Sequence, residues 1–296
     1  MNTLLRRGHG DQAPEETTTG GLLTAWDRVK LARHASRPKT LDYLAEITTD
    51  FIELHGDRSY GDDQALIGGL ARLGGRTVMI LGHQKGRDTR ENLNRNFGMA
   101  KPEGYRKADR LMRHAEKFGI PVVTFIDTSG ADPTIGSEER GQGTAIAESI
   151  LTMAALETPI VAVVIGEGGS GGALAIGVAD RVLMLENSVY SVVSPEGCAS
   201  ILWKDSSKAP EAAETMRMTA GDLKRFEIID EVIAEVIPAH EKPRDSIIAV
   251  GKAVTRHLDE LSVIADGEGG TQRLLDARYA KFRRIGAWRE ETAISE

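Results

Sequence analysis

Two runs of β-forming residues with scarcely a polar break, Ile120–Ile126 and Ile160–Ile165, constrain the fold of this chain more than any other feature. A strand with one wet face alternates apolar and polar residues. Near-continuous Val and Ile therefore predict strands buried on both faces, as in a parallel sheet flanked by helices. Each run leads into a glycine-rich segment, FIDTSGADPTIGSEERGQG from Phe125 to Gly143 and VIGEGGSGGALAIG from Val164 to Gly177, and then into an apolar, helix-like stretch. Glycine lets backbone N–H groups approach a bound oxygen with no Cβ in the way, and a following helix N-terminus adds partial positive charge. Both segments read as anion or oxyanion sites built from backbone.

The flanking sequence extends this pattern. ALIGGLARL and RTVMILGHQ flank Gly74-Gly75, a two-residue hairpin signal. Pro102 to Phe118 follows as a helix with Pro at its start and Gly119 at its end, which completes a ββα unit. Single strands then alternate with helices through IPVVTFIDT, GTAIAESILTMAALE, PIVAVVIGE, ALAIGVAD and RVLMLENSVYSVV. LLTAWDRVKLARHA and TLDYLAEITTDFIELHG have helical spacing and predict a helical entry broken at Pro38. SPEGCASILW, a polar helix around Pro210 to Met218 and the phrase TAGDLKRFEIIDEVIAEVI lead to C-terminal helices near Arg244–Leu261 and Thr271–Ile285. The expectation is an α/β protein with one domain over 22–296, helical additions at both ends, and a mobile arm over 1–21 rich in Thr, Gly and Glu.

Composition removes several function classes. A net charge of -7 argues against a generic nucleic-acid binder, whose affinity rests on a basic surface. The single cysteine, Cys198, excludes an intrachain disulfide or a Cys-based zinc knuckle within this sequence and fits a reducing compartment. No membrane-length apolar run or signal-type h-region is present, so the expected location is the cytoplasm. The seven histidines show no H-x-x-x-H or H-E-x-x-H spacing, and no metal site is expected. Within this acidic chain, Lys85, Arg87, Arg90 and Arg95 open a basic run to Arg110 that predicts attraction for an anionic substrate. The plainer reading of such a run is a solvated helix face.

The second glycine-rich loop admits several chemistries. Gly166, Gly168 and Gly171 satisfy G-x-G-x-x-G with Glu186 twenty residues on, the spacing of a dinucleotide site, but the short helix and mid-chain position oppose that reading. A P-loop is excluded because no Lys-Ser or Lys-Thr follows. Gly168 to Gly172 also spells G-x-S-x-G around Ser170, which would suit a serine hydrolase with Asp230 and either His240 or His257. Close helix-strand packing is the structural reading. An oxyanion site remains the fourth.

WDRVKLARHASRPKTLDYL, HGDRSYGDD, KGRDTRENLNRNFGMAKPEGYRKADRLM and YSVVSPEGCASILWKD, with the two glycine-rich segments, resemble the alpha subunit of the carboxyltransferase component of bacterial acetyl-CoA carboxylase. The likeness runs from about Leu22 to Arg284; the family's Asp-Thr-Pro-Gly-Ala stands here as Asp127-Thr128-Ser129-Gly130-Ala131. The resemblance implies a crotonase-like spiral of ββα units and transfer of CO2 from N1-carboxybiotin, on a separate carrier protein, to acetyl-CoA, giving malonyl-CoA for fatty acid synthesis. It implies Gly171, Gly172 and Ala173 as backbone donors to the ureido oxygen of biotin, with Gly130 and Ala131 on a second loop. Biotin that has lost its CO2 can itself take the methyl proton, so no side-chain base is implied. It further implies an α2β2 assembly with a beta subunit that carries zinc and binds CoA, served by biotin carboxyl carrier protein and biotin carboxylase. The alternatives are a serine hydrolase on Ser170 or a non-catalytic scaffold for the beta subunit. Gly172→Val is expected to block transfer while leaving assembly with the beta subunit intact.

Overall fold

The computed structural model describes residues 23–286, and the arm read at 1–21 lies outside them. The chain enters through helices α1 (Ala25–Ala32) and α2 (Thr40–Ile47), followed by strands β1 (Thr49–Glu53), β2 (Leu66–Leu73) and β3 (Arg76–His83). Gly74 and Gly75, with φ of 56° and 83°, make the β2–β3 turn, since a tight hairpin matched to strand twist needs positive φ at both central residues. Helices α3 (Thr89–Asn94) and α4 (Pro102–Lys117) complete the first ββα unit. Then come β4 (Val122–Thr128), α5 (Ile135–Glu139), α6 (Gln142–Ala155), β5 (Ile160–Gly169), α7 (Ser170–Leu174), β6 (Arg181–Leu185) and β7 (Val189–Ser191). The chain ends through α8 (Pro195–Trp203), α9 (Ala209–Met216), α10 (Ala220–Arg225), β8 (Glu231–Ile233), α11 (Pro243–Ala265) and α12 (Gly270–Arg283).

One mixed sheet runs β1-β2-β3-β4-β5-β6-β8, with β7 paired to the far half of β5. The β1–β2 and β2–β3 pairs are antiparallel; the pairs from β3 onward are parallel. The apolar runs alternate between two cores. Val122, Ile126, Ile160, Ala162 and Val164 face the core shared with Tyr105, Leu111 and Met153 of α4 and α6. Val123, Phe125, Val161, Val163 and Ile165 face the core shared with Tyr43, Val250 and Leu258 of α2 and α11. Both faces being covered, both phases of the alternation are apolar except at Thr124, whose hydroxyl donates to the Ile176 carbonyl at 2.7 Å.

The expected second entry helix is corrected in its later half: after Ile47 the residues Thr49–Glu53 form β1, paired to β2 through Ile52 and Leu70. RVLMLENSVYSVV is likewise two strands, parted by a turn in which the Ser188 N–H bonds the Leu185 carbonyl at 3.0 Å. The helix expected over ALAIGVAD begins earlier, at Ser170. Arg278 of α12, almost wholly buried, anchors the base of β5. It grips both carboxylate oxygens of Asp180 at 2.8 and 2.9 Å and donates to the carbonyls of Met153, Leu156 and Thr158. Asp180 in turn accepts from the Ile160 N–H at 2.7 Å. No helix among the described residues is long and apolar enough to cross a membrane.

Candidate active site

Parallel pairing of β3, β4 and β5 brings their C-terminal ends to one edge of the sheet, the usual ligand edge of such sheets. His83–Lys85, Asp127–Ala131 and Gly166–Ala173 therefore meet, although scores of residues separate them in sequence. The two glycine-rich loops are packed backbone to backbone. A Cβ at Gly169 would lie 2.1 Å from the Ser129 carbonyl oxygen, and one at Gly172 would lie 2.6 Å from the Ala131 nitrogen and 2.7 Å from the Gly130 carbonyl carbon. Gly172 thus has a packing role, and a side chain there would force the two loops apart. Gly171 differs: its Cβ would meet only the Ile146 methyl carbons, at 3.6 and 3.8 Å.

Gly169 is the N-cap of α7 and no side chain caps it. The N–H groups of Ser170, Gly171 and Gly172 fall in the first turn, where a helix supplies no partner, whereas Ala173 is the first residue whose N–H an intrahelical bond can use. Ser170 adopts φ 52°, a left-handed conformation uncommon outside glycine, and is exposed. Gly171 is half-buried and Gly172 buried. Ser170 and Gly171 open onto a cavity of about 490 Å³, walled by apolar groups of Leu174, Val192, Val193, Met216 and Leu223 and by Cys198. On the second loop, Gly130 takes φ 153°, and its N–H bonds the Thr128 hydroxyl at 3.1 Å.

The basic residues divide. Lys85 and Arg87 line a separate polar cavity of about 290 Å³ with Arg33, Lys39, Asp127 and Glu167. Lys85 is a paired ion there, 2.7 Å from Asp127 and 3.3 Å from Glu167, while Arg33 holds Glu167 at 2.6 Å. Burial alone would push the Lys85 ammonium down, but the two carboxylates hold its pKa above the usual lysine value. Arg87 pairs with Asp42 at 2.5 Å. Arg95 pairs with Glu91 at 2.8 Å and Arg90 is exposed; neither lines that cavity. Sequence reading missed these partners.

The hydrolase constellation does not assemble. Asp230 accepts from the Val182 N–H at 2.6 Å, and β6 runs beside β5 with Val182 opposite Ala162. Ser170 lies beyond the opposite end of β5, about 25 Å away at roughly 3.3 Å per residue. His257 sits 2.6 Å from Glu231, and the His240 ring packs 4.0 Å from that of His34. Glu186, placed where a dinucleotide site wants an acid, instead accepts from the Glu235 N–H at 3.0 Å and pairs with Arg28 at 3.6 Å. No group of acids, histidines and cysteine among the described residues could hold a metal.

Two buried polar side chains that sequence reading did not single out also reach this site. The Tyr105 hydroxyl lies 2.9 Å from where a Gly172 Cβ would be, and the His83 ring faces the Gly172 backbone. Burial pushes the His83 imidazole down to about 4, so the ring is neutral near pH 7.

The architecture is that of a carboxyltransferase of the crotonase-like fold. A transcarboxylase 12S structure aligns with TM-score 0.64 and 19% identity, covering 81% of this chain and 44% of its own. The present chain thus spans less than half of that protein. A Pseudomonas malonate decarboxylase heterodimer aligns with TM-score 0.57 and 16% identity over 74% of this chain and 90% of its own. The chain belongs to the acetyl co-enzyme A carboxylase carboxyltransferase-like family, whose model matches residues 10–286. It is 54% identical over 269 residues to the acetyl-coenzyme A carboxylase carboxyl transferase subunit alpha of Geobacter metallireducens, covering 90% of this chain and 83% of that one. The subunit of the same name from Burkholderia mallei is 56% identical over 265 residues, covering 88% and 81%.

Proposed function

We propose that this chain supplies the carboxybiotin-binding half of a carboxyltransferase, which moves a carboxyl group from N1-carboxybiotin on a separate carrier protein to acetyl-CoA, giving malonyl-CoA. The observation that carries the reading is the Gly171–Gly172 turn, with backbone donors unused by α7 beside an apolar cavity of about 490 Å³. Relatives at 54 to 56% identity with the name of this subunit support the same reaction. The residues fit the group, because biotin's bicyclic ring is apolar apart from its ureido unit and the cavity wall is apolar with donors at its rim. When bound, carboxybiotin supplies the activated carboxyl group.

The chain's own work is electrostatic. The N–H groups of Gly171 and Gly172 donate to the ureido oxygen as negative charge gathers on it, and one such donor is worth about 3 to 4 kcal/mol of barrier. Leu174, Val192 and Val193 give the cavity an apolar wall, and once biotin covers them the drier surroundings strengthen those bonds. Gly130 and Ala131 support the turn from behind rather than line the cavity. Lys85 and Arg87, with Arg33 and Lys39, give the neighbouring polar cavity its cations. The remaining parts of the reaction fall to other chains: a beta subunit in an α2β2 assembly that binds CoA and carries zinc, the biotin carboxyl carrier protein and biotin carboxylase, in the cytoplasm. In the assembled enzyme Ser170→Ala keeps most of the transfer activity, because the role of this loop lies in its backbone. Abolished turnover, or labelling of Ser170 by a fluorophosphonate, contradicts the reading and favours a nucleophile.

A further inference from the structure

Behind the Gly171–Gly172 turn, on the side away from the apolar cavity, two fully buried polar side chains end without hydrogen-bond partners among the described residues. The Tyr105 hydroxyl is one, at 0% exposure of its residue; the other is the His83 ring, also at 0%, neither of whose nitrogens completes a hydrogen bond of ordinary geometry. Both converge on Gly172, Tyr105 from α4 and His83 from the end of β3. His83 is itself fixed, because the Thr40 hydroxyl donates to its carbonyl at 2.5 Å.

The backbone they approach has a polar group to spare. α7 ends after Leu174, and the Ile176 N–H goes to the Ala173 carbonyl at 3.3 Å rather than one residue back to that of Gly172. A carbonyl released by the early end of a helix is an acceptor, and a neutral imidazole N–H or a phenol O–H is a donor. Leaving buried polar groups unmatched costs stability that Leu and Phe at these positions would not, so their presence calls for a use.

We propose that His83 and Tyr105 are positioning residues: they hold the Gly172 peptide from behind and so keep the N–H groups of Gly171 and Gly172 aimed at the developing charge. Neither touches the substrate. The inference rests on the oxyanion reading of the turn and adds to it the support that fixes its geometry. That support matters because α7 is barely more than one turn long, and small displacements of catalytic donors are expensive in rate.

The test uses the full chain assembled with its carboxyltransferase partner, following transfer of the carboxyl group from malonyl-CoA to free biotin, with the melting temperature measured on the same preparations. Tyr105→Phe and His83→Leu should each lower kcat about tenfold or more. The KM for malonyl-CoA should be unchanged and the melting temperature equal or higher, since each replacement removes only a polar group from a buried site. His83→Asn, which keeps an N–H donor, should recover part of the lost rate. If both variants melt higher with kcat unchanged, the two groups are mere packing and the proposal fails. Should His83→Leu not fold, Tyr105→Phe, which removes a single atom, decides alone. Gly171→Val separates the two levels of inference. Lost turnover in Gly171→Val with normal turnover in Tyr105→Phe and His83→Leu overturns only the positioning role, whereas normal turnover in Gly171→Val overturns the oxyanion turn itself.

Discussion

Substituting Gly171 and Gly172 in turn should give opposite results, because the two neighbours face different surroundings. In Gly172→Ala the new Cβ would lie 2.6 Å from the Ala131 nitrogen and 2.7 Å from the Gly130 carbonyl carbon, about 0.8 Å inside ordinary contact, and both obstacles are backbone. Relief requires the two loops to separate. Overpacking of this kind costs about 3 kcal/mol, at the upper end of its usual range. An unfolding entropy of about 2.1 cal/mol/K per residue gives about 0.6 kcal/mol/K for a chain of this size, so the melting temperature should fall by about 5 °C. Gly171→Val meets no backbone. Its Cβ has Ile146 at ordinary contact distance, Gly171 itself borders the cavity so that added bulk narrows it, and a helix position accepts Val at least as well as Gly. Gly171→Val should therefore melt within about 2 °C of the parent yet lose about a hundredfold in transfer, the worth of one oxyanion donor. Malonyl-CoA decarboxylation with free biotin as acceptor, run beside a melting curve on each assembled variant, reads both quantities. A Gly172→Ala protein that melts like the parent would refute the close packing of the loops, and a Gly171→Val protein with normal turnover would refute the site.

The His83 imidazole, held at about 4 by burial against an ordinary value of 6.5, makes stability depend on pH. Between these values the unfolded chain binds more protons than the folded one, so the contribution is complete above about 6.5 and declines as pH falls toward 4, by about 3 kcal/mol in all. Asp127 favours the protonated ring and Lys85 opposes it, and both remain in His83→Leu. The urea midpoint of the parent minus that of His83→Leu should thus decline from pH 6.5 to 4; a flat difference contradicts the buried neutral ring. Arg278→Leu strands the Asp180 carboxylate in the interior and should cost about 3 to 5 kcal/mol. That corresponds to a melting temperature lower by about 5 to 8 °C; an unchanged melt would show that the clamp at the base of β5 carries no stability.

Much of the scaffold was legible because local chemistry and the global fold agree. Gly74-Gly75 can make a tight turn wherever it lies, Pro102 suits a helix start, and unbroken Val and Ile runs need two covered faces. Thr49–Glu53 was misread as helix because Leu44, Ile47 and Phe51 satisfy helical spacing as well as they could, and only pairing with Leu70 and Arg72 of β2 decides for a strand. The glycine-rich loop declared itself through composition. The roles of its individual glycines did not, since Gly172 is pressed against Gly130 and Ala131 from another segment while Gly171 is free. Lys85 looked like a free cation because Asp127 and Glu167, which neutralise it, lie 42 and 82 residues downstream. His83 and Tyr105 carry no motif, and their relation to Gly172 exists only in the folded chain.

If this chain holds one half of a shared carboxyltransferase site, the purified chain alone and the same chain assembled with a beta subunit will differ in turnover. The rate of malonyl-CoA decarboxylation with free biotin as acceptor is measured for each. A shared site requires no turnover by the isolated chain and restored turnover on assembly. Robust decarboxylation by the isolated chain would contradict it.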